Sequence, residues 1–115
     1  MAPPVYSTQL IEAFIASPGG SVDYVVLPLL VVVVVDVTVT FTQPDGGDCS
    51  FGLALGPSSP IISWGTPAAP WSGTRHWRGR AVLNATDTMT ASYSSQFSGF
   101  NSCHVLVSGY VLTAP

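Results

Sequence analysis

The feature that most constrains the fold is an apolar run at residues 24–41, YVVLPLLVVVVVDVTVTF, which contains five consecutive valines. Only twelve uncharged residues separate Asp23 from Asp36, whereas a helix that crosses a bilayer needs about 20. Pro28 interrupts the run, and valine suits helices poorly because both branches at Cβ crowd the preceding turn. The run therefore predicts β-structure and argues against a membrane segment.

The two halves of this run have different patterns. Residues 35–42 alternate apolar and polar side chains, with Val35 and Phe41 on one face, which is typical of a strand with one buried and one wet face. Residues 29–34 are apolar on both faces. We expect a second layer to cover them, either a neighbouring subunit or a local loop such as the proline-rich N-terminus. The interface candidates in this segment are Val31, Val32 and Val33.

The rest of the chain shows a strand-and-turn pattern. Lysine is absent, glutamate occurs once, and Val, Thr, Ser, Gly and Pro are abundant, which favours strands over helices. Turn signals separate about eight predicted strands. Residues 6–16 fit a short amphipathic helix as well as an edge strand, and Gly109 predicts a bulge or bend in the last strand. We predict one all-β domain at residues 1–115, an antiparallel β-sandwich of jelly-roll type.

The chain carries unusually little charge. Charged residues make up 8% of the sequence and the net charge is −3, whereas about 25% of residues are charged in an ordinary soluble domain. Because a free monomer needs charge to stay dispersed, this composition favours a subunit of a larger assembly, with a Ser- and Thr-rich secreted domain as the alternative. The negative net charge disfavours nucleic acid as the main partner.

All three arginines, Arg75, Arg78 and Arg80, fall within the segment RHWRGR. Two interpretations stay open for them. They protect a solvated edge strand from pairing with other chains, or they form an interface stripe that binds a neighbour's carboxylates. Trp64 and Trp71, near the adjoining loop, are candidate anchors in the same contact or platforms that stack on a sugar.

No motif predicts catalysis, a cofactor or a metal site. The segment GGDCSFG around Cys49 superficially resembles the nucleophile loop of chymotrypsin-like proteases, but neither His76 nor His104 is placed as the required base. Asp45 and Asp48 supply too few oxygens for calcium, and the cysteines and histidines lack the spacing of a zinc site. We therefore expect a protein without enzymatic activity.

Three further features are ambiguous. Cys49 and Cys103 each begin a predicted strand, so they face each other either as a disulfide or as two buried free thiols. Residues 84–86, Asn-Ala-Thr, match a glycosylation acceptor. We expect a tight turn there instead, because the N-terminus MAPPVYSTQL lacks the pattern of a secretory signal.

Four short motifs carry a family resemblance: VYST at residues 5–8, YVV with DVTVT at 24–40, WRGRAVLNATDT at 77–88 and VSGYVLT at 107–113. They resemble small virion proteins of tailed actinobacteriophages, which show VYST.FI, YVVPAGK.AVVRDVTV, W.GR.VLNAGDTL and V.VSGY.LT. Two departures stand out. Thr86 replaces the glycine of AGD, and LPLLVVVV stands in place of PAGK.AVV, which removes a charge and adds apolar surface.

The resemblance implies a non-enzymatic structural protein of the virion, assembled in the host cytoplasm. It implies a minor tail protein or a decoration protein on the capsid surface, and no cofactor, metal, nucleic acid or membrane. The implied partners are copies of the chain itself, as a homotrimer or another homo-oligomer, and the tail or major capsid protein. The alternative is a carbohydrate-binding module that recognises glycans of the host surface.

Overall fold

The computed structural model describes residues 8–16, 19–44, 49–55, 59–66, 71–95 and 101–113. These residues form the strands β1 (Thr8–Ala16), β2 (Gly19–Val25), β3 (Leu30–Gln43), β4 (Cys49–Leu55), β5 (Ser59–Gly65), β6 (Trp71–Leu83), β7 (Thr88–Ser95) and β8 (Ser102–Thr113). Within these ranges no helix is long and apolar enough to cross a membrane. The predicted all-β fold of about eight strands is confirmed.

The strands form two antiparallel sheets of four, which we call sheet 1 (β1-β8-β3-β6) and sheet 2 (β2-β7-β4-β5). The pairs β1·β8, β2·β7, β3·β6 and β4·β5 are those of one long antiparallel ribbon folded over itself. The pairs β3·β8 and β4·β7 then join neighbouring parts of the ribbon within each sheet. This is the jelly-roll arrangement, as predicted.

Strand β1 settles the ambiguity of the N-terminal segment. It pairs with β8 at the edge of sheet 1, so the helix interpretation is wrong. Ile11 and Ile15 are buried, whereas Glu12 and Phe14 point outward and are exposed. The strand therefore has one face in the core and one on the outer surface of sheet 1.

The valine run is buried on both faces over part of its length. Val32 and Val34 are fully buried in the core, and Val33 is only 6% exposed although it lies on the outer face of sheet 1. Leu29 is 76% exposed because it lies in the turn before β3, with a φ of 70°. The predicted burial is therefore confirmed for Val32, Val33 and Val34, is only partial for Leu30 and Val31, and is wrong for Leu29. The layer expected to cover the outer face stays a prediction. The N-terminal residues 1–7, one of the predicted covers, lie outside the described residues.

A β-bulge separates the two halves of β3. In the pairing with β8, Val34 lies opposite Gly109 and Asp36 opposite Ser108, which leaves Val35 without a partner. Val35 consequently lies on the outer face, and its predicted place beside Phe41 is wrong because the bulge shifts the alternation by one residue. The irregularity predicted near Gly109 is present, but the extra residues lie in the neighbouring strands β1 and β3, so the predicted bulge in the last strand itself is wrong.

The segment at residues 84–87 is a tight turn, as predicted. The amide of Asp87 donates to the carbonyl of Asn84 at 3.0 Å, and the amide of Asn84 donates to the Asp87 carboxylate at 2.8 Å. Thr86 has a φ of 69° and donates its amide proton to the carbonyl of Val26 at 2.9 Å. This bond fixes the turn against the loop between β2 and β3.

Candidate functional site

The outer face of sheet 1 divides at the bulge into an apolar half and a polar half. In the apolar half, Val33 pairs with Tyr110 on one side and Val82 on the other, and Val31 pairs with Leu112. Beyond the bulge, the outward side chains of β3 are an aspartate and three threonines. An apolar surface at the end of an otherwise polar face is the strongest candidate for a contact site.

A groove with a volume of about 350 Å³ opens in the apolar half. Its lining residues are Val33, Val35, Gly79, Arg80, Tyr110 and Leu112. Val33 is nearly buried, whereas Leu112 is 45% exposed beside it. The groove is thus a concave apolar surface with one cationic side chain in its lining.

The valine interface candidates have different positions. Val31 is half-buried on the outer face, and Val33 lies in the groove. Val32 is fully buried in the sandwich core. Val32 therefore packs in the core and offers no surface to a partner.

The polar half is organised around the carboxylate of Asp36. It accepts hydrogen bonds from Nε2 of His76 at 2.9 Å, from Nε of Arg78 at 3.4 Å and from the hydroxyl of Thr38 at 3.4 Å. Burial raises the pKa of Asp36, but the hydrogen bond and charge of His76, followed by the other two donors, outweigh it, so the pKa lies below its ordinary value of 3.8. The polar half therefore neutralises its central charge internally.

The three arginines occupy three environments. Arg78 has its carboxylate partner within its own sheet. The guanidinium of Arg75 lies 5.6 Å from the ring centroid of Trp71, which is a cation–π distance. Among the described residues Arg80 forms no ion pair, and its side chain lines the groove. Among the described residues neither Arg75 nor Arg80 has a carboxylate partner, and Arg80 is the one that lines the groove.

The two candidate tryptophans pack along the edge of the core. Trp64 lies 6.0 Å from Phe51 and Trp71 lies 5.7 Å from Phe41, measured between ring centroids. Both side chains are half-buried. The ring of Trp71 also covers Gly73, where a Cβ atom would overlap it. These contacts stabilise the sandwich and do not bring the tryptophans to the groove.

The two cysteines are buried free thiols. Burial raises the pKa of Cys49, but hydrogen bonds from Ser95 and other polar neighbours outweigh it, so the pKa lies below its ordinary value of 9.0. Nδ2 of Asn101 donates to its sulfur at 3.7 Å. Burial raises the pKa of Cys103 to about 12. The thiol of Cys49 thus lies among polar side chains, whereas burial dominates at Cys103, whose hydrogen-bond neighbour is the backbone of Ile15.

The described structure does not assemble a catalytic or metal centre from the sequence candidates. His76 and His104 lie on the outer face of sheet 1, paired with Asp36 at 2.9 Å and with Glu12 at 3.8 Å, whereas the thiols face the core. No cluster of three metal-ligating side chains occurs among the described residues. Asp45 and Asp48 lie outside them.

Sequence reasoning missed two side chains on the outer face of sheet 1, Phe14 and Tyr110. Phe14 is 65% exposed on the outer face of β1, and its role was hidden because the segment fitted a helix equally well. Tyr110 lines the groove. The alternation of β8 around Gly109 is the signal that places Tyr110 on the outer face.

Comparison of the chain with models of known protein families and with curated proteins found no match. The fold and the groove define the class: a jelly-roll β-sandwich with an apolar groove on the outer face of one sheet.

Proposed function

We propose that this chain is a non-enzymatic structural protein of a phage virion, an oligomeric β-sandwich subunit attached to the tail or to the capsid surface. Its role is mechanical: it binds copies of itself and other virion proteins through apolar surface. Such surface contributes roughly 25 cal/mol per Å² buried, before the costs of association are subtracted.

The observation that carries this proposal is the apolar half of sheet 1. The groove at Val33 adjoins Leu112 and Val82, which are 45% and 48% exposed. Because only 8% of the residues are charged, charge repulsion does little to prevent such a surface from associating. Association is therefore the function for which this surface is suited.

The backbone supports the phage resemblance at two places. Leu29 and Thr86 are the non-glycine residues with positive φ among the described residues, at 70° and 69°. Thr86 stands where the resembled proteins have the glycine of AGD. When the motifs are aligned on YVV at residues 24–26, Leu29 stands where they have the glycine of PAGK. Because positive φ favours glycine, the backbone at both positions has the conformation that a glycine there would favour, which supports the resemblance.

Carbohydrate binding has less support from the geometry. A sugar stacks on an exposed aromatic face, whereas Trp64 and Trp71 are half-buried and pack against Phe51 and Phe41. No described contact favours a glycan site over an assembly surface.

The test is the composition of phage particles that encode this chain. Quantitative mass spectrometry of gradient-purified particles should find it at a fixed copy number, and sedimentation of the purified protein should show an oligomer. A monomeric protein that is absent from the particles would overturn the proposal.

A further inference from the structure

We infer that the outer face of sheet 1 binds the same face of a second copy, with Phe14 of each copy inserted into the groove of the other. This inference deepens the proposed assembly function and rests on it. It identifies the partner as a second copy of this chain. Phe14 is the side chain that projects, and the groove is the hole that receives it.

Phe14 is the projection. It points outward from β1, it is 65% exposed, and its cross-strand neighbour is the polar His104. A large aromatic side chain so exposed on a strand gains nothing in the isolated chain, because its apolar surface remains in water. Inserted into an apolar groove, an aromatic ring becomes the kind of anchor that dominates interface energies.

The groove is the matching hole, and it lies on the same face. Val33 and Leu112 supply apolar walls in a space of about 350 Å³. When a projection and a hole share one face, a two-fold axis parallel to that face and midway between them forms both contacts at once. The surface is thus self-complementary, which a surface bearing only the groove would not be.

The charges on this face agree with self-association. Asp36 is paired with His76 and Arg78, so the centre of the face is not a bare charge that repels its own copy. Glu12 lies two residues from Phe14 on the same face of β1 and therefore approaches the partner's groove with it. Its partners within the chain are Gln9, which donates a hydrogen bond to it, and His104 at 3.8 Å, and both are partly or fully exposed at the surface. The groove is lined by Arg80, which has no ion pair among the described residues. The projection thus carries an anion to a hole that carries a cation.

The area of the face is also sufficient. Four strands about 4.8 Å apart and about 12 residues long, at about 3.3 Å per residue, span roughly 700 Å². Standard interfaces bury about 800 Å² per partner. Because the full range for specific interfaces is about 600–1,000 Å² per partner, the outer face of sheet 1 falls within it when nearly all of the face is covered.

The test uses two variants, each of which should self-associate weakly but associate with the other. Phe14→Arg and Leu112→Asp should each weaken self-association by about 30-fold or more, as expected for a central anchor. An equimolar mixture of the two should form a heterodimer, because one Phe14 contact is intact and the other becomes an Arg–Asp pair. Analytical ultracentrifugation measures both, and circular dichroism checks that each variant is folded.

Val25→Arg is the matched control, because Val25 is an exposed apolar residue, 55% exposed, on an edge strand of sheet 2. It should leave self-association unchanged. The inference is overturned if the mixture does not associate, or if Val25→Arg weakens association as much as Phe14→Arg. It is also overturned if the wild type is monomeric and associates only after residues 2–7 are removed. None of these outcomes contradicts the proposed virion function. That proposal fails only if the chain is monomeric and missing from particles.

Discussion

Gly109 of β8 lies so close to the backbone carbonyl oxygen of Val33 in β3 that a Cβ atom at this position would overlap it. The contact occurs where β3 bulges and where Val33 and Val35 turn onto the outer face. Because glycine has no side chain, β3 and β8, the two strands that carry the groove, can approach closely here.

Gly109→Ala should destabilise the fold by about 1–3 kcal/mol, the range for overpacking a closely packed site. Gly65→Ala is the matched control, because a Cβ there meets no atom within 4 Å. It should change stability by less than about 0.5 kcal/mol. Urea denaturation of both variants measures the difference, and equal stabilities would contradict the close approach.

Thr86→Gly should stabilise the protein by about 1 kcal/mol, because a β-branched residue at positive φ is strained and glycine is not. The variant keeps the hydrogen bond that the backbone amide of residue 86 donates to the carbonyl of Val26. Thr88→Gly, in strand β7, is the control and should destabilise. Thermal unfolding distinguishes the two, and a loss of stability in Thr86→Gly would show that the turn is not strained.

Much of the fold was predictable because its signals are local. Turn residues, the alternation in β3 and the absence of helix formers fixed the strands and the sandwich. The place of Val35 was not predictable, because a bulge depends on how β3 and β8 pair and not on the sequence of β3 alone. Phe14 was missed for a similar reason: only the pairing with β8 shows which way it points.

The candidate site was predictable only in part. The apolar excess of the valine run indicated a contact surface near Val33, and the arginine cluster indicated an ionic one. Which arginines lack a carboxylate partner among the described residues depends on Asp36, because its carboxylate binds Arg78 across the strands. Such cross-strand partners are distant in sequence, so the sequence alone does not reveal that Arg80 lines the groove.

Asp36→Asn should lower stability by about 0.5 kcal/mol near pH 6, the scale of a partly exposed ion pair. Because folding lowers the pKa of Asp36, its contribution is fully present above its unfolded pKa of about 3.9 and is lost as the pH falls through the folded value. The difference between variant and wild type should therefore shrink below about pH 4.

A double-mutant cycle with His76→Asn supplies the control for this ion pair. The effects of Asp36→Asn and His76→Asn should be non-additive at pH 6. Additive effects, or an Asp36→Asn difference that is the same at pH 6 and pH 3, would contradict the assigned pairing.

Cys49→Ser should be tolerated to within about 1 kcal/mol, because hydroxyl and amide groups already surround this thiol. Cys103→Ser should cost about 1–3 kcal/mol, because it buries a hydroxyl where burial outweighs the one backbone hydrogen bond, to Ile15. Guanidinium denaturation of the two variants measures the contrast. Non-reducing mass spectrometry of the wild type should find both thiols reduced, and a disulfide form would contradict the structure.

The central claim is that sheet 1 binds a partner through its outer face, and the pair Val32→Asp and Val33→Asp tests it most directly. Val32→Asp should prevent folding, because Val32 is fully buried in the core. Val33→Asp should fold, because the new carboxylate lies in the groove lined by Arg80. Sedimentation velocity of Val33→Asp should then show a folded monomer where the wild type associates. A folded Val33→Asp variant that associates as strongly as the wild type would contradict the account.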